Sequence, residues 1–287
     1  MRRPPPDWPF AEQSRFIDAR PHRWHVQQIG DGPDLLLLHG AGASTHSWRA
    51  LAPLLAPHVR VTMIDLPGHG FTRLGTRARA GLDPVSEDIA TLLRTLSVKP
   101  AAIVGHSAGA AVALRLALDL PGQTPVIAIN GAFQMFGGIA GVLFPLVAKA
   151  LALNPLTAPL FAAAGSPART KRMLAGTGSV IDAAGLRQYH ALISDRTHVE
   201  GALSMMASWS LDRLVRDSAR LNAPVLLLVG EKDGTVPPSV SRDMETRLLD
   251  VRMTVFGGKG HLLHEEAPDE VAEAVLAFLN ETILSDR

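Results

Sequence analysis

A serine, an aspartate and a histidine stand in that order at the ends of separate apolar runs. Ser107 lies in Gly105-His106-Ser107-Ala108-Gly109, Asp233 ends "VLLLVGEKD", and His261 sits in "FGGKGHLLHEE". Their joint chemistry is acyl transfer. A serine hydroxyl attacks near neutral pH only when a base takes its proton, and the base needs an acid to hold its tautomer. Each residue alone has a plainer reading: Ser107 as a helix cap, Asp233 as the start of a turn, His261 as a polar loop residue. Three independent placements in the order Ser, Asp, His favour Ser107 as nucleophile, His261 as base and Asp233 as orienting acid. Gly105 and Gly109 fit a strained turn that lifts a hydroxyl above a sheet edge, where a side chain two places either way would collide.

An attacked acyl carbon also needs donors for its oxyanion. "LLLLHGAGAS" places small residues directly after an apolar run, so the amides of Ala41 and Ala108 are the expected pair, with Gly42 as alternative to Ala41. A phosphate loop of the G-x-G-x-x-G type is the rival reading. Gly40 and Gly42 fit it, but position 45 is threonine and no Lys-Ser/Thr pair follows. The 11 histidines raise the question of metal. His22 and His25 share a spacing with His261 and His264, and Glu265 and Glu266 follow, but no third partner is suitably spaced, so no metal is expected. His39 and His69 read as structural loop residues, and the chemistry requires no cofactor. His106, inside the serine motif, and Phe136 and Phe144, in a later apolar segment, are the expected substrate contacts.

Short apolar runs bounded by turn residues must carry these groups. "DLLLLHG" at 34–40, "RVTMIDLPG" at 60–68, "AAIVGH" at 101–106, "PVIAING" at 125–131, "APVLLLVGEKD" at 223–233 and "VRMTVFGG" at 251–258 read as strands covered on both faces. "WHVQQIG" at 24–30 reads as an antiparallel strand opening the sheet. "VSEDIATLLRTL" at 85–96 and "DEVAEAVLAFLNETI" at 269–283 have helical periodicity, the second with Pro268 near its start. Alternating strands and helices predict an α/β fold with a mostly parallel sheet flanked by helices, and a site at the strand C-terminal edge. The alternation stops between 134 and 208, which reads as an inserted helical cap on a core of 1–133 and 209–287. From Leu120 to Ala168 the only charge is Lys149. Residues 135–148 are too short and too rich in glycine for a membrane span, so a lid over a small apolar substrate is expected, with reversible peripheral membrane contact left open.

The bulk composition narrows the classes further. The chain has 287 residues, 47% hydrophobic and 19% charged, with a formal net charge of +1 and no cysteine. That is a globular chain with nothing to recommend nucleic acid as a partner. Disulfides, thiolate metal sites and a cysteine nucleophile are excluded. Prolines follow Arg2 and Arg3 where an export signal would carry an apolar stretch, so the opening reads as an extended arm of an unexported protein.

The motifs "HGAG", "DLPGHG", "GHSAG", "GEKDGTVP" and "GHLLHEEAPDEVAEAVLAFL" resemble the α/β-hydrolase superfamily along nearly the whole chain. The resemblance implies the α/β-hydrolase fold and maps nucleophile, acid and base onto Ser107, Asp233 and His261. Some members carry the acid one strand earlier; here that strand ends in Asn130, which leaves Asp233. Serine at the elbow disfavours the relatives with an aspartate nucleophile. The segments "DWP", "SRFI", "WHVQ" and "LLLLHGAGASTHSWR" are similar to the magnesium-chelatase accessory proteins of bacteriochlorophyll biosynthesis. That likeness implies a cytoplasmic or membrane-peripheral location, a tetrapyrrole-linked role, association with magnesium chelatase, and a porphyrin as a substrate that would suit the apolar cap. Two readings follow: a serine hydrolase of an apolar ester-like substrate, or a non-catalytic accessory that binds porphyrin or the chelatase.

Overall fold

In the computed structural model the residues described are 3–134, 154 and 156–284. They build one eight-stranded sheet in the order β1-β2-β4-β3-β5-β6-β7-β8. The strands are β1 Ser14–Ala19, β2 His22–Ile29, β3 Asp34–Leu38, β4 Arg60–Ile64, β5 Ala102–His106, β6 Val126–Ile129, β7 Val225–Gly230 and β8 Val251–Phe256. β1 and β2 pair antiparallel, as do β2 and β4, while all pairings from β4 through β8 are parallel.

The continuous apolar runs have a direct physical outcome. The pleat sends alternate residues to opposite faces, and here both faces are covered. Leu36 and Leu38 of β3 enter one hydrophobic layer with Ile103, Leu227 and the helices α2 (Leu82–Leu96) and α3 (Ala108–Asp119). Leu35 and Leu37 enter a second layer with Val104, Leu228, α1 (Leu51–Leu55) and the helix Pro268–Leu279. The sheet is therefore the middle of three layers. Right-handed crossovers bring the residues that follow β3, β5, β7 and β8 to one edge.

Differences from the sequence reading sit at the sheet's margins. The opening arm contains a strand, β1, whose six residues pair with β2 from Ser14–Gln27 to Ala19–His22. Its mixed polarity hid it, because an edge strand has one covered face. β8 is the opposite edge, and all its residues except buried Phe256 are part-buried or exposed rather than covered on both sides. α2 starts at Leu82, with Pro84 accommodated in its first turn, where a missing N–H costs little. The C-terminal helix gives way to a π-helical turn at Asn280–Leu284.

Between β6 and β7 the described residues contain helices and no strand: α4 Thr157–Ala163, α5 Pro167–Ala175, α6 Ala183–Ile193, α7 Arg196–Ala207 and α8 Asp212–Asp217. Ser166, Asp182 and Asp195 cap α5, α6 and α7 by accepting from the amides of Arg169, Gly185 and His198. No helix among the described residues is long and apolar enough to cross a membrane.

Candidate active site

β5 ends at His106, and Ser107 adopts φ 53 and ψ −117 before α3 begins at Ala108. A non-glycine residue with positive φ is strained and persists only where its surroundings impose it. The Ser107 amide donates to Ile129 O at 3.0 Å, and its carbonyl accepts from Ala110 and Ala132. The flanking glycines are needed for backbone clearance. A Cβ on Gly105 would meet Gly109 O at 2.3 Å, and one on Gly109 would meet Leu38 O at 2.1 Å.

Asp233 and His261 meet directly. Asp233 Oδ2 lies 2.7 Å from His261 Nδ1, and Oδ1 accepts from the amides of Thr235 and Val236, both at 2.8 Å. The carboxylate is thus oriented from two sides, and both residues are buried. With Nδ1–H committed to the carboxylate, Nε2 of His261 is the ring nitrogen left for a proton. His261 and Ser107 line one cavity. Ser107 Oγ has no hydrogen-bond partner among the described residues, so Ser107 and His261 meet as walls of the cavity and not through a hydrogen bond.

The loop after β3 supplies Ala41 on the same cavity, opposite the start of α3. The amides of Ala41, Gly42 and Ala108 donate to no acceptor among the described residues. Gly42 has φ 76, a backbone state suited to glycine. Buried Asp65 fastens the loop: Oδ1 accepts from Thr45 N at 2.7 Å, and Oδ2 takes Phe71 N at 2.8 Å and His25 Nδ1 at 2.7 Å. Burial opposes ionisation of Asp65, yet His25 and the donated hydrogen bonds outweigh it and hold the carboxyl well below the usual range.

His106 is buried beside the cavity, and its Nε2–H donates to His261 O at 2.9 Å. Burial drives its pKa far down, so it is a neutral ring wedged against His261 and His264, with centroids 4.8 and 4.5 Å away. Phe136 and Phe144 lie outside the described residues. Among the described residues no group of three or more His, Asp or Glu is arranged to hold a metal ion. The paired histidines have other work: His22 meets Asp88 at 2.9 Å, His25 meets Asp65, and His264 stacks on Trp48. His39 accepts from Leu66 N at 2.9 Å through Nε2.

The fold recurs in solved structures. An α/β hydrolase fold protein from Burkholderia ambifaria superposes with a TM-score of 0.74 at 22% identity, covering 92% of this chain and 99% of that one. The Alpha/beta hydrolase family profile matches residues 35–274. The chain belongs to the α/β-hydrolase family. Within reach of this α/β hydrolase is the "Magnesium-chelatase 30 kDa subunit" of Rhodobacter capsulatus, 46% identical over 96% of this chain and 97% of that protein. The "Pimeloyl-[acyl-carrier protein] methyl ester esterase" of Nitrosospira multiformis is 25% identical over 88% of this chain and 97% of its own length.

Several residues that shape this α/β-hydrolase site escaped the sequence reading. Asn130, at φ 46, donates through Nδ2 to Gly260 O (3.0 Å) and His261 O (2.7 Å), while its Oδ1 accepts from Gly230 N (2.7 Å). It ties the ends of β6 and β7 to the histidine loop. From the segment that follows α5, Thr177 O accepts from both Gly234 N (3.1 Å) and His261 N (3.2 Å), and Ser179 Oγ accepts from Leu262 N (2.8 Å). His198 on α7 accepts from Gly70 N through Nδ1 and donates from Nε2 to Gly42 O, at 3.0 and 3.1 Å. Arg49 pairs with Glu265 and, at 2.7 Å, with Asp182 at the start of α6; Tyr189 OH donates to Glu265 at 2.7 Å. Burial raises the Glu265 pKa to about 6 despite Arg49 and Tyr189. These contacts link residues 57 to 216 positions apart, and many use backbone atoms, so no spacing announces them. Asn130, a residue tolerant of positive φ beside Gly131 at a strand end, carried the one usable hint.

Proposed function

We propose that this protein is a serine hydrolase acting on an apolar ester-like substrate under a helical cap formed by 134–208. The observation that carries the reading is the pairing of a strained serine at the β5–α3 junction with an Asp233–His261 hydrogen bond on the same cavity. In this mechanism His261 Nε2 takes the Ser107 proton while Oγ bonds the acyl carbon. Asp233 holds the tautomer and offsets the imidazolium charge. The amides of Ala41 and Ala108 receive the oxyanion, a contribution for which one donor is commonly worth about 10²–10³ in rate. Collapse breaks the bond to the leaving oxygen, which takes the proton from His261. Water, deprotonated by the same imidazole, then releases the acid and restores the serine. No cofactor takes part. His106 fixes the wall behind the base.

The test is covalent labelling with a fluorophosphonate. Wild type is expected to label and Ser107→Ala to remain blank; an unlabelled wild type beside a labelled control esterase would remove the hydrolase reading.

The likeness to a protein named as a magnesium-chelatase subunit supports a cytoplasmic role in tetrapyrrole (bacteriochlorophyll) synthesis, in association with that chelatase. It also favours a second reading, a non-catalytic accessory binding a porphyrin or the chelatase through the cap. Pigment formation in a deletion strain separates the two. Rescue by wild type alone supports catalysis, whereas equal rescue by Ser107→Ala supports the accessory role.

A further inference from the structure

The cavity in front of Ser107 holds about 1070 Å³, at or above the upper end for small-molecule sites. Its walls are apolar over most of their extent, including Leu160, Phe161, Met173, Met206 and Trp209. Arg169, on α5, is the one side chain of fixed charge among the described residues that line it. Its guanidinium lies over the Phe161 ring, 5.4 Å from the centroid. Its polar contact is a long one, Nη1 to Ala164 O at 3.5 Å, which leaves most of its five N–H donors without an acceptor among the described residues.

The setting explains why that cation stays unpaired. From Leu120 to Ile181 the sequence contains no Asp or Glu. The nearby acidic network is already engaged, Glu265 with Arg49 and Tyr189, and Asp182 with Arg49. By contrast, Arg79 and Arg115 each meet two carboxylates. A planar donor fork at an apolar cavity matches a carboxylate or phosphate on the incoming molecule.

We propose that Arg169 is an anion-binding subsite, and that the cavity takes an amphipathic ligand with a bulky apolar body and one carboxylate or phosphate. The proposal deepens the hydrolase reading by naming a substrate class. It rests on that reading only for the claim that the anchored molecule is then cleaved. The anion would sit on α5 while the apolar body reaches past Met206 and Trp209, and the scissile group would lie at Ser107.

Binding is measured by fluorescence titration of the full chain with cis-parinaric acid and with its methyl ester. Arg169 is exposed at the mouth of the cavity, so wild type is expected to bind the acid about threefold more tightly than the ester, the scale of a solvent-screened charge pair. Arg169→Gln should bring the acid to the level of the ester and leave the ester unchanged, while Arg169→Lys should keep part of the preference. Equal binding of acid and ester by wild type, or equal weakening of both in Arg169→Gln, would overturn the subsite. A lipid headgroup offers the same chemistry, so sedimentation with phosphatidylglycerol vesicles is the second arm. Equal pelleting of wild type and Arg169→Gln supports a free ligand; Arg169-dependent pelleting without an acid–ester difference overturns the cavity assignment. The titrations are repeated in Ser107→Ala, which cannot turn the ester over, and the ratio there must match that of wild type. Failure of fluorophosphonate labelling with the ratio intact would discard the hydrolase and retain the subsite.

Discussion

Replacing Asn130 with alanine is the sharpest perturbation of the site that leaves every reacting group in place. The side chain is 1% exposed and makes three hydrogen bonds, two donated to Gly260 O and His261 O and one accepted from Gly230 N. His261 O keeps its donor in His106, but the Gly260 carbonyl and the Gly230 amide lose theirs. Each lost bond is worth about 1 kcal/mol, and a buried group left unsatisfied costs about 1–3 kcal/mol. Alanine is also less at ease than asparagine at φ 46, by a fraction of the roughly 1–2 kcal/mol for left-handed backbone. The expected loss is about 4 kcal/mol. With a urea slope of about 3 kcal/mol/M, that lowers the unfolding midpoint by roughly 1.3 M. Equilibrium unfolding followed by circular dichroism measures it, and the fluorophosphonate rate of the folded fraction should fall as well, because His261 loses one of its anchors. A midpoint within 0.3 M of wild type, roughly the effect of 1 kcal/mol, with an unchanged labelling rate, would refute the positioning argument.

Other perturbations test neighbouring parts. Asp233→Asn should keep the fold and slow labelling by on the order of 10³–10⁴, since an amide cannot hold the same tautomer; a rate within tenfold of wild type would count against the dyad. Gly105→Ala and Gly109→Ala each drive a Cβ to within 2.3 Å of backbone oxygen and should sharply reduce soluble, cooperatively melting protein. Glu265 has a folded pKa of about 6 against an ordinary value of 4.5. A carboxyl raised by folding stabilises fully below its unfolded pKa and loses that contribution as pH rises through the folded one. Stability should therefore drop by about 2 kcal/mol from well below pH 4.5 to well above pH 6 from this group, and the difference in ΔG between wild type and Glu265→Gln should move by that amount across the window. Asp65 has the opposite sign, its contribution present above the ordinary carboxylate range and lost as pH falls below it. Acid unfolding of Asp65→Asn should consequently be less steep.

The strands from β3 to β7 were readable because two covered faces demand uninterrupted apolar residues, and the glycine-flanked serine because its backbone requirement is local. β1 was not readable, since "SRFIDA" packs on one side only and follows a proline-rich lead. β8 was found but its covering was misjudged for the same reason. Asp233 and His261 could be picked out as the polar residues that end buried runs. Asn130, Thr177, Ser179 and His198 could not, because their roles depend on backbone carbonyls and amides brought close by folding. The substrate contacts fared differently: His106 lies in the cavity wall with its polar edge turned to a backbone carbonyl, while Phe136 and Phe144 lie outside the described residues.

One oxygen atom joins the two loops that carry Asp233 and His261: the carbonyl of Thr177, shared by the amides of Gly234 and His261. Gly178 beside it fits only at φ 82, its missing Cβ facing Lys232 O at 2.1 Å. The segment around Thr177 is accordingly not an interchangeable accessory on a finished engine. A chimera that grafts a relative's segment onto this three-layered sheet core would have to import a tripeptide of the same shape, or arrive with its aspartate and imidazole out of register. Diversification of substrate preference by swapping whole insertions is constrained at this seam, and change is freer toward α4 and α5, which meet neither loop through such a bond.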